Sequence, residues 1–284
     1  MTSIDQLIKR VRSGPRPIVI LSHRRSGTHL TIDLIRKQFE GSTPPMRPFA
    51  SLTTLYLSMD KLRPGHHAPM PAEAAVDKLA TAKHLVMKTH ARPDADGRLP
   101  EFEDNEPLIQ AMIDHAFKIN VVRDGRNVLS SQHIYEQGYN PDARLPTSDF
   151  LRTSFQGEPR PAFWAGHATS WKHTPDVLTV TFEDIIRSTD DVLTRIGEHL
   201  GIEPRRTRPL LPMKQPISKL ARAMNRALAR GETTAIEGRP SKGVAPVKWR
   251  AAWSAADRRH FDEHAGDTLI ELGYEPDHSW ARDA

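Results

Sequence analysis

The sequence contains no cysteine, which excludes a disulfide framework and a thiolate metal site. An absence of cysteine fits a reducing compartment, and we expect a cytoplasmic protein. No run approaches the roughly 20 apolar residues that cross a membrane. The N-terminal stretch MTSIDQLIKRVRSGPRP also lacks the apolar centre of a signal peptide. These absences together predict a soluble protein.

The length and the charge of the chain limit the class of protein, but they do not identify its ligand. A chain of 284 residues suits one large α/β domain or two small ones, and 38% hydrophobic residues are enough for a core. The formal net charge is +5 and the isoelectric point about 9.5. A basic balance favours anionic ligands, which include nucleotides, nucleic acid, acidic glycans and membrane surfaces.

The stretch 17–39 organises our interpretation of the chain. Its sequence, PIVILSHRRSGTHLTIDLIRKQF, predicts a buried parallel strand over 17–21, a basic loop and then an amphipathic helix. Gly27 permits a sharp turn, and Ser26 and Thr28 offer hydroxyl groups. The start of the helix adds unpaired N–H groups and the positive end of its dipole. The stretch therefore predicts an anion-binding loop with two arginines at its mouth.

The nucleoside triphosphate form of this loop, GxxxxGK[ST], is absent, because the segment has one glycine and no lysine before the hydroxyl residue. A basic turn that binds nothing is the plainer alternative at this point.

Three further buried strands are predicted over 84–89, 117–122 and 177–182. Helices are predicted over 4–11, 71–82, 106–115, 127–135, 163–173, 190–200 and 254–272. Segments 41–71 and 140–161 are rich in proline and are expected to be irregular. Trp164 and Trp171 are seven residues apart, so we expect both to pack in a core from one helix face.

The second predicted strand ends in Lys88-Thr89-His90. Open α/β sheets bind ligands beyond the carboxyl ends of their strands, so this tripeptide lies where a ligand is expected. A histidine considered alone is more often a hydrogen-bonded structural residue than a base. Its position at the strand end favours the catalytic interpretation.

These two features together resemble the sulfotransferases. The loop RRSGT resembles that family's 5′-phosphosulfate loop, written PKSGT or PRSGT, and KTH occurs at the same point in its cytosolic members. The resemblance implies that Lys88 contacts the transferring sulfuryl group. It also implies that His90 takes the proton of the acceptor.

A third match covers the following strand and helix. VVRDGRNVLSS resembles the family's 3′-phosphate motif, VxRNPKDVxxS, and places the motif's arginine and serine at Arg123 and Ser131. A guanidinium group can grip a phosphate bidentately while a hydroxyl supplies a further hydrogen bond. Ser130 is the alternative to Ser131 in register. Arg126 either assists or faces solvent.

The last match is partial. SKGVAPVKW resembles the family's RKGxxGxW loop and keeps Lys242 and Gly243. Ser241 replaces the arginine, for which Arg239 is the candidate substitute. The segment VTFED follows the family's order as well, with Phe182 in place of the usual tyrosine near the adenine. Leu30 replaces the adenine-stacking tryptophan, so the adenine contacts stay open.

The resemblance implies a sulfotransferase that uses 3′-phosphoadenosine 5′-phosphosulfate (PAPS) and releases adenosine 3′,5′-bisphosphate (PAP), without a metal. It implies an α/β, three-layer Rossmann-like, P-loop-type fold in which a parallel sheet is flanked by helices. We expect one domain over 1–284, with a nucleotide core over about 15–200 and a cap over about 201–284. The expected catalytic residues are His90, Arg25 and Lys88. The expected donor-binding residues are Arg24, Arg25, Ser26, Gly27, Thr28, His29, Arg123, Ser131, Phe182, Arg239, Lys242 and Gly243.

The acceptor is expected to be a small molecule, a glycan or a lipid rather than nucleic acid, and segments 41–71, 136–160 and 205–230 are expected to shape its pocket. The basic segment 205–230 is either a solvated face, a cap over the nucleotide, or a track for an acidic glycan or membrane surface. The oligomeric state stays open. Two other functions stay open as well: a kinase with an atypical phosphate loop, and a non-catalytic module that binds polyanions.

Overall fold

A parallel sheet forms the centre of the protein. The computed structural model describes residues 2–45, 52–212, 234 and 249–282. Five strands pair in the order β2-β3-β1-β4-β7, and every pairing is parallel. A separate two-stranded hairpin joins β5 and β6. The strands are β1 Ile18–Ser22, β2 Leu57–Ser58, β3 Val86–Thr89, β4 Phe117–Val122, β5 Ser154–Phe155, β6 Glu158–Pro159 and β7 Val177–Thr181.

The sheet confirms the four predicted strands and adds one that the sequence does not announce. Strand β2 lies in the segment that was expected to be irregular, and its two residues are too few to show a periodic pattern. It forms the edge next to β3, where Leu57 is opposite Met87.

Alternate residues of β1 enter two different cores, which is the signature of a sheet covered on both faces. Val19 and Leu21 lie in one core with Leu7 and Leu108, whereas Ile18 and Ile20 lie in another with Ile32 and Val192. All four β1 side chains are fully buried. This two-sided burial confirms the predicted three-layer α/β architecture.

The helices of the described residues include every one that the sequence predicts, each close to its predicted position. They are α1 Ile4–Ser13, α2 Thr28–Gln38, α3 Ala72–Leu79, α4 Glu106–His115, α5 Gly125–Glu136, α6 Thr147–Arg152, α7 Arg160–Lys172, α8 Phe182–Arg187, α9 Thr189–Leu200, α10 Trp249–Ala252 and α11 Ala255–Glu271.

The expectation of an irregular segment over 140–161 is wrong. The segment holds a 3₁₀ turn, helix α6 and the β5–β6 hairpin. Its prolines start helices instead of breaking them: Pro146 is the N-cap of α6, and Pro161 lies in the first turn of α7. A proline fits there because the first-turn N–H groups have no partner inside the helix.

Helix α7 reaches two cores from one face. Trp171 packs in the core that contains Leu21, and Trp164 packs in a third core with Phe261 of α11. The expected burial of both tryptophans is confirmed. The third core attaches the C-terminal part of the chain to α5 and α7.

Arg126 neither assists an anion site nor faces solvent. Its side chain is 2% exposed and pairs with Asp124 (Nη2–Oδ2 2.8 Å) and with Glu275. Its guanidinium group lies over the rings of Trp249, at 4.3 Å from the centroid, and Trp280, at 4.5 Å. The arginine therefore anchors the C-terminal segment, a role that only the contact between distant parts of the chain reveals.

Candidate active site

The ends of four neighbouring strands lie level and bring the predicted motifs to one edge of the sheet. Leu21 is opposite Thr89, Ser22 is opposite Val121, and Val122 is opposite Thr181. The residues that follow the strands are the basic loop 23–27, His90, Arg123 and Phe182. This is the position at which open parallel sheets bind ligands.

The basic loop turns into α2 through two residues with left-handed backbone. Arg25 has φ 70°, and Gly27, the N-cap of α2, has φ 97°. A Cβ atom on Gly27 would lie 2.4 Å from Cδ2 of Phe182, so no other residue fits without a shift of that ring. The N-cap offers no side chain to the first-turn N–H groups. These groups and the helix dipole therefore stay available to an anion.

The two hydroxyl groups of the loop differ in their freedom to bind a ligand. Oγ1 of Thr28 is 2.7 Å from Oγ of Ser22, inside the fold. Oγ of Ser26 is buried and has no partner in the described part of the chain. A buried hydroxyl without a partner is unfavourable, so it favours a ligand oxygen at this position. The geometry thus selects Ser26 over Thr28 as the hydroxyl that is free to bind an anion.

The two loop arginines point in different directions. Arg25 donates from Nε to Oγ of Ser131 at 3.2 Å, and its guanidinium group lies 4.1 Å from the ring centroid of Tyr135. Arg24 is exposed and lies 5.8 Å from the ring centroid of Phe155, in the β5–β6 hairpin. Arg25 therefore meets the serine of the predicted 3′-phosphate motif directly.

Arg123 joins the two predicted phosphate motifs. It donates from Nη1 to the carbonyl oxygen of Arg25 at 3.1 Å, and its guanidinium group lies 4.4 Å from the ring centroid of Phe182. Its Nε atom and Oγ of Ser130 are buried and unpaired among the described residues. Phe182 consequently lies between Gly27 and Arg123. Ser130 and Ser131 both lie in the middle of α5, and the choice between them as the partner of Arg123 stays open.

The ring of His90 is held in one orientation. Nδ1 lies 2.7 Å from the carbonyl oxygen of Ser22, which can only accept, so Nδ1 carries the proton and donates. Nε2 is then the nitrogen with the lone pair, and among the described residues it has no hydrogen-bond partner. This tautomer leaves His90 free to accept a proton from a ligand.

Burial and positive neighbours keep His90 neutral. Burial lowers the pKa of His90 well below its usual value of 6.5, and the positive charges of Lys88 and Arg24 lower it further. The carboxylate of Asp60 and the Ser22 carbonyl act in the opposite direction without cancelling the effect. The neutral, basic form therefore predominates at neutral pH.

Asp60 is the site residue that the sequence analysis missed. It follows β2 closely, is 8% exposed, and accepts hydrogen bonds from Lys88 Nζ at 2.6 Å and from Thr89 Oγ1 and the backbone N–H of His90 at 3.0 Å each. The sequence around it, YLSMDKL, carries no motif, and a two-residue strand gives no periodic signal. Only the pairing of β2 with β3 brings this carboxylate to the Lys-Thr-His tripeptide.

His29, in the first turn of α2, contacts a residue that is distant in sequence. Nδ1 of His29 lies 3.0 Å from Oγ1 of Thr234, and burial lowers the pKa of His29 to about 4. The backbone N–H of Thr234 also donates to Asp33 of α2. The predicted donor-binding residue His29 thus uses Nδ1 of its ring to contact a distant residue, and its backbone N–H stays available for the predicted role.

Two further histidines are buried beside His90. Burial lowers the pKa of His23 to about 4 and that of His167 well below 6.5. Their rings are in edge contact, with 5.6 Å between centroids. The backbone of His90 acts on the pKa of His167 in the opposite direction to burial. These residues support the backbone on which the candidate base lies.

Three predicted donor-binding residues, Arg239, Lys242 and Gly243, lie outside the described residues, as do positions 213–230 of the basic segment. The described positions of that segment, 205–212, carry arginines in ion pairs. Arg205 pairs with Glu40 at 3.6 Å and Arg206 with Asp190 at 3.0 Å.

A group with the chemistry of a metal site is found on α11 in the described part of the chain. Ligand atoms of His260, Glu263 and His264 lie within 4.8 Å of one another. The positive charge of Arg152 acts on His260 and opposes a second cation there.

No described helix is long and apolar enough to span a membrane.

Comparison with solved structures finds the same fold at low sequence identity. The structure of retinol dehydratase in a complex with retinol and PAP has a TM-score of 0.50 and 17% identity, over 93% of this chain and 85% of that one. The structure of mouse sulfotransferase SULT7A1 with PAP has a TM-score of 0.49 and 17% identity, over 95% of this chain and 90% of that one. Neither the models of protein families nor the curated proteins contain a match to this sequence. The predicted sulfotransferase-like architecture, a parallel sheet flanked by helices, is thereby confirmed at the level of the fold.

Proposed function

We propose that this protein is a sulfotransferase that moves a sulfuryl group from PAPS to a hydroxyl group or amine of a small-molecule acceptor. The observation that carries the proposal is the geometry of His90. Its Nδ1 is bound to the Ser22 carbonyl at 2.7 Å, and its free Nε2 lies at the strand edge that also carries the basic loop. The shared fold and the motif order support the same conclusion.

PAPS is the substrate that supplies the sulfuryl group, and the residues present fit its phosphates. The unpaired hydroxyl of Ser26 and the first-turn amides of α2 would hold the 5′-phosphate. Arg123, with unpaired Nε, would hold the 3′-phosphate together with Ser131 or Ser130. Lys242, Gly243 and Arg239 keep their proposed place in the same contact, although they lie outside the described residues.

The proposed reaction needs one base and several cations. The oxygen of the acceptor bonds to sulfur while its proton passes to Nε2 of His90, and the bond from sulfur to the 5′-phosphate oxygen breaks to release PAP. Like phosphoryl transfer, the step spreads negative charge over peripheral oxygens, so catalysis rests on positioning and on charge stabilisation. Lys88 and Arg25 supply positive charge to that region, and Arg24 is an exposed cation at the mouth of the loop. In this mechanism no step is assigned to a metal.

Arg25 is assigned a second contact beyond the one that the family resemblance implies. Because its Nε donates to Ser131, we propose that Arg25 lies near the 3′-phosphate of the donor as well as near the sulfuryl group. We propose that the ring of Phe182, which packs against the Arg123 guanidinium group, contacts the donor. We also propose that the backbone N–H of His29 donates to it.

A small molecule is the acceptor class that we propose first, because the retinol dehydratase structure holds retinol. Glycans and lipids remain within the proposal, and contact with an acidic glycan or membrane surface is assigned to segment 205–230. We also propose a single domain with the nucleotide core and cap divided near residue 200, and a cytoplasmic location.

No observation favours the kinase alternative. Asp60 does place a carboxylate at a strand end, where a kinase would hold Mg²⁺, but it already accepts from Lys88, Thr89 and the His90 backbone. Asp124, at the end of β4, is likewise paired with Arg126. A carboxylate whose lone pairs already accept from a cationic side chain and from other donors is a poor magnesium ligand.

Calorimetric titration with PAP, and with ATP–Mg²⁺ in parallel, tests the donor class. We expect binding of PAP and at most weak binding of ATP–Mg²⁺. A panel of phenols, alcohols and amines with ³⁵S-labelled PAPS then tests transfer. Tight PAP binding without transfer to any acceptor, and without reverse transfer from 4-nitrophenyl sulfate to PAP, would favour the non-catalytic polyanion-binding module. A preference for ATP–Mg²⁺ would favour the kinase.

A further inference from the structure

Asp60 accepts hydrogen bonds from two separate parts of the chain, the tripeptide at the end of β3 and Arg63. Its Oδ2 accepts from Nζ of Lys88 at 2.6 Å, and its Oδ1 accepts from Oγ1 of Thr89 and from the backbone N–H of His90, both at 3.0 Å. Arg63, one turn further along, donates from Nη2 to Oδ1 at 2.9 Å. The carboxylate thus binds every residue of the Lys-Thr-His tripeptide.

The surroundings of Asp60 keep its carboxyl group ionised. Burial alone would raise the pKa of its carboxyl group, but the positive charges of Lys88 and Arg63 and the hydrogen bond from Lys88 outweigh burial and hold the pKa well below its usual range. Arg63 is in turn neutralised by Glu101, at 2.6 Å from its Nη1. The Asp60–Lys88 pair, with side chains 11% and 10% exposed, is therefore a nearly dry ion pair that tolerates little displacement.

The hydrogen bonds form an unbroken path from the phosphate loop to this pair. Thr28 of α2 bonds the hydroxyl of Ser22, the carbonyl of Ser22 bonds the ring of His90, and the backbone of His90 bonds Asp60. The ring of His90 is set from one side by β1, and its backbone is set from the other side by the segment after β2.

We propose that Asp60 is a positioning residue for sulfuryl transfer, which holds Nζ of Lys88 through Oδ2 and the backbone of His90 through Oδ1. The inference rests on the proposed function and adds a residue to it. Among the described residues, no direct hydrogen bond joins Asp60 to positions 23–29 or to Arg123. Its loss is therefore expected to impair the chemical step and to spare donor binding.

The variants Asp60→Asn and Asp60→Glu test the proposal, with Asp257→Asn as the matched control. Asp257 is also a buried carboxylate, 1% exposed against 8% for Asp60, and it accepts from Arg152 at 2.7 Å and from Ser148 at 2.8 Å. Its replacement perturbs a buried network of similar size in the third core. Each variant is compared with the wild-type chain for PAP affinity, for kcat and KM with PAPS, and for its urea midpoint.

We expect Asp60→Asn to lower kcat by about 100-fold, the usual consequence of a misplacement near 1 Å, with PAP affinity and the KM for PAPS within about threefold of wild type. Asp60→Glu keeps the charge and should recover part of the lost kcat. Asp257→Asn should lower the urea midpoint as Asp60→Asn does but retain kcat. An Asp60→Asn variant with wild-type kcat would overturn the proposal, as would equal losses of kcat in Asp60→Asn and Asp257→Asn.

If the wild-type chain transfers no sulfuryl group, the proposed function is wrong, but the role of Asp60 in holding Lys88 is still open to test. A second measurement tests that role directly. Acetylation of the native protein by acetic anhydride, read by mass spectrometry, reports how firmly Lys88 is held, with exposed Lys9 as the internal reference. Release of a buried ion pair should raise the Lys88 rate about tenfold in folded Asp60→Asn. An unchanged rate would show that Asp60 does not hold Lys88.

Discussion

The ring of Phe182 occupies the space into which any side chain at position 27 would have to extend. Its Cδ2 atom lies 2.4 Å from the Cβ position of Gly27, and Arg123 covers the ring at 4.4 Å from its centroid. The 5′-phosphosulfate motif, the 3′-phosphate motif and the aromatic residue after β7 therefore form one packed unit. Their separation in sequence hides this contact.

Gly27→Ala should damage the anion-binding loop. The substitution combines a backbone at φ 97° with a clash against Phe182, and the left-handed region alone costs about 1–2 kcal/mol for a residue with a Cβ. Gly97→Ala is the control, because Gly97 has φ 77° and nothing within 4 Å of its Cβ position. We expect a lower urea midpoint in both variants but weaker PAP binding in Gly27→Ala only. Equal PAP affinities would contradict the assignment of the loop.

Arg123→Ala should weaken PAP binding by removing a charged donor with a free Nε. Hydrogen bonds to charged groups contribute about 1.5–3 kcal/mol, so a loss of roughly 10- to 150-fold is expected by calorimetry. Arg187→Ala, at an exposed position on α8, removes the same net charge and should change the affinity little. If both variants bind PAP equally, the 3′-phosphate site lies elsewhere.

His90→Gln should abolish transfer and spare donor binding. A positioned general base contributes about 10²- to 10⁴-fold, so kcat should fall by at least 100-fold while PAP affinity is retained. Since burial, Lys88 and Arg24 lower the pKa of His90 against the opposing effect of Asp60, kcat of the wild type should stay level from pH 8 down through pH 6.5 and fall only in more acidic buffer. His173→Ala, at an exposed position directly after α7, is the control. A rate that is already halved at pH 6.5 would disagree with this environment.

The buried histidines should make the fold sensitive to acid. The pKa of His23 is about 4 in the folded state, lowered by burial, against about 6.5 when unfolded. The unfolded chain thus binds more protons between these values, and stability falls as pH decreases through that window by up to about 1.4 kcal/mol per pH unit for each such group.

His29 and His167 act in the same sense, because burial lowers the pKa of each. We therefore expect the urea midpoint to decline from about pH 6.5 downward. His167→Gln should flatten the decline, whereas His67→Ala should leave it unchanged. A midpoint that is constant between pH 7 and pH 5 would contradict the burial of these rings.

Arg126→Met should destabilise the protein strongly. It leaves Asp124 and Glu275 without their cationic partner and removes the group between Trp249 and Trp280. Breaking a buried ion pair from one side costs about 3–5 kcal/mol, which urea denaturation would detect. Arg10→Met breaks an exposed pair with Asp77, whose side chains are 43% and 63% exposed, and should cost less than about 1 kcal/mol. Comparable losses would mean that Arg126 is not an anchor.

Local signals were sufficient for most of the fold. The four long strands, the helices of the first half of the chain and the α/β class follow from apolar runs and helical spacing, which depend on neighbours in sequence. Segment 140–161 was interpreted wrongly because proline both ends and starts helices. The sequence does not say which, since the answer depends on whether the residue before it is already helical.

The candidate site divides in the same way. Residue types in motif order single out the basic loop, the Lys-Thr-His tripeptide and Arg123, because a strand end followed by a polar turn is a local pattern. No local pattern of this kind marks Asp60. It reaches the site only because the two-residue strand β2 pairs with β3. The choice between Ser26 and Thr28 likewise depended on the contact of Thr28 with Ser22.

By itself, the sequence determined the class of fold and the positive, hydroxyl-bearing turns that can meet an anion, since backbone preference and charge belong to short stretches of chain. The tertiary structure alone decided which tautomer His90 adopts, which hydroxyl is free, and that Arg126 supports the fold while Asp60 holds Lys88. Each of these outcomes depends on hydrogen bonds and burial between residues far apart in the chain, and these come into existence only when the strands pair.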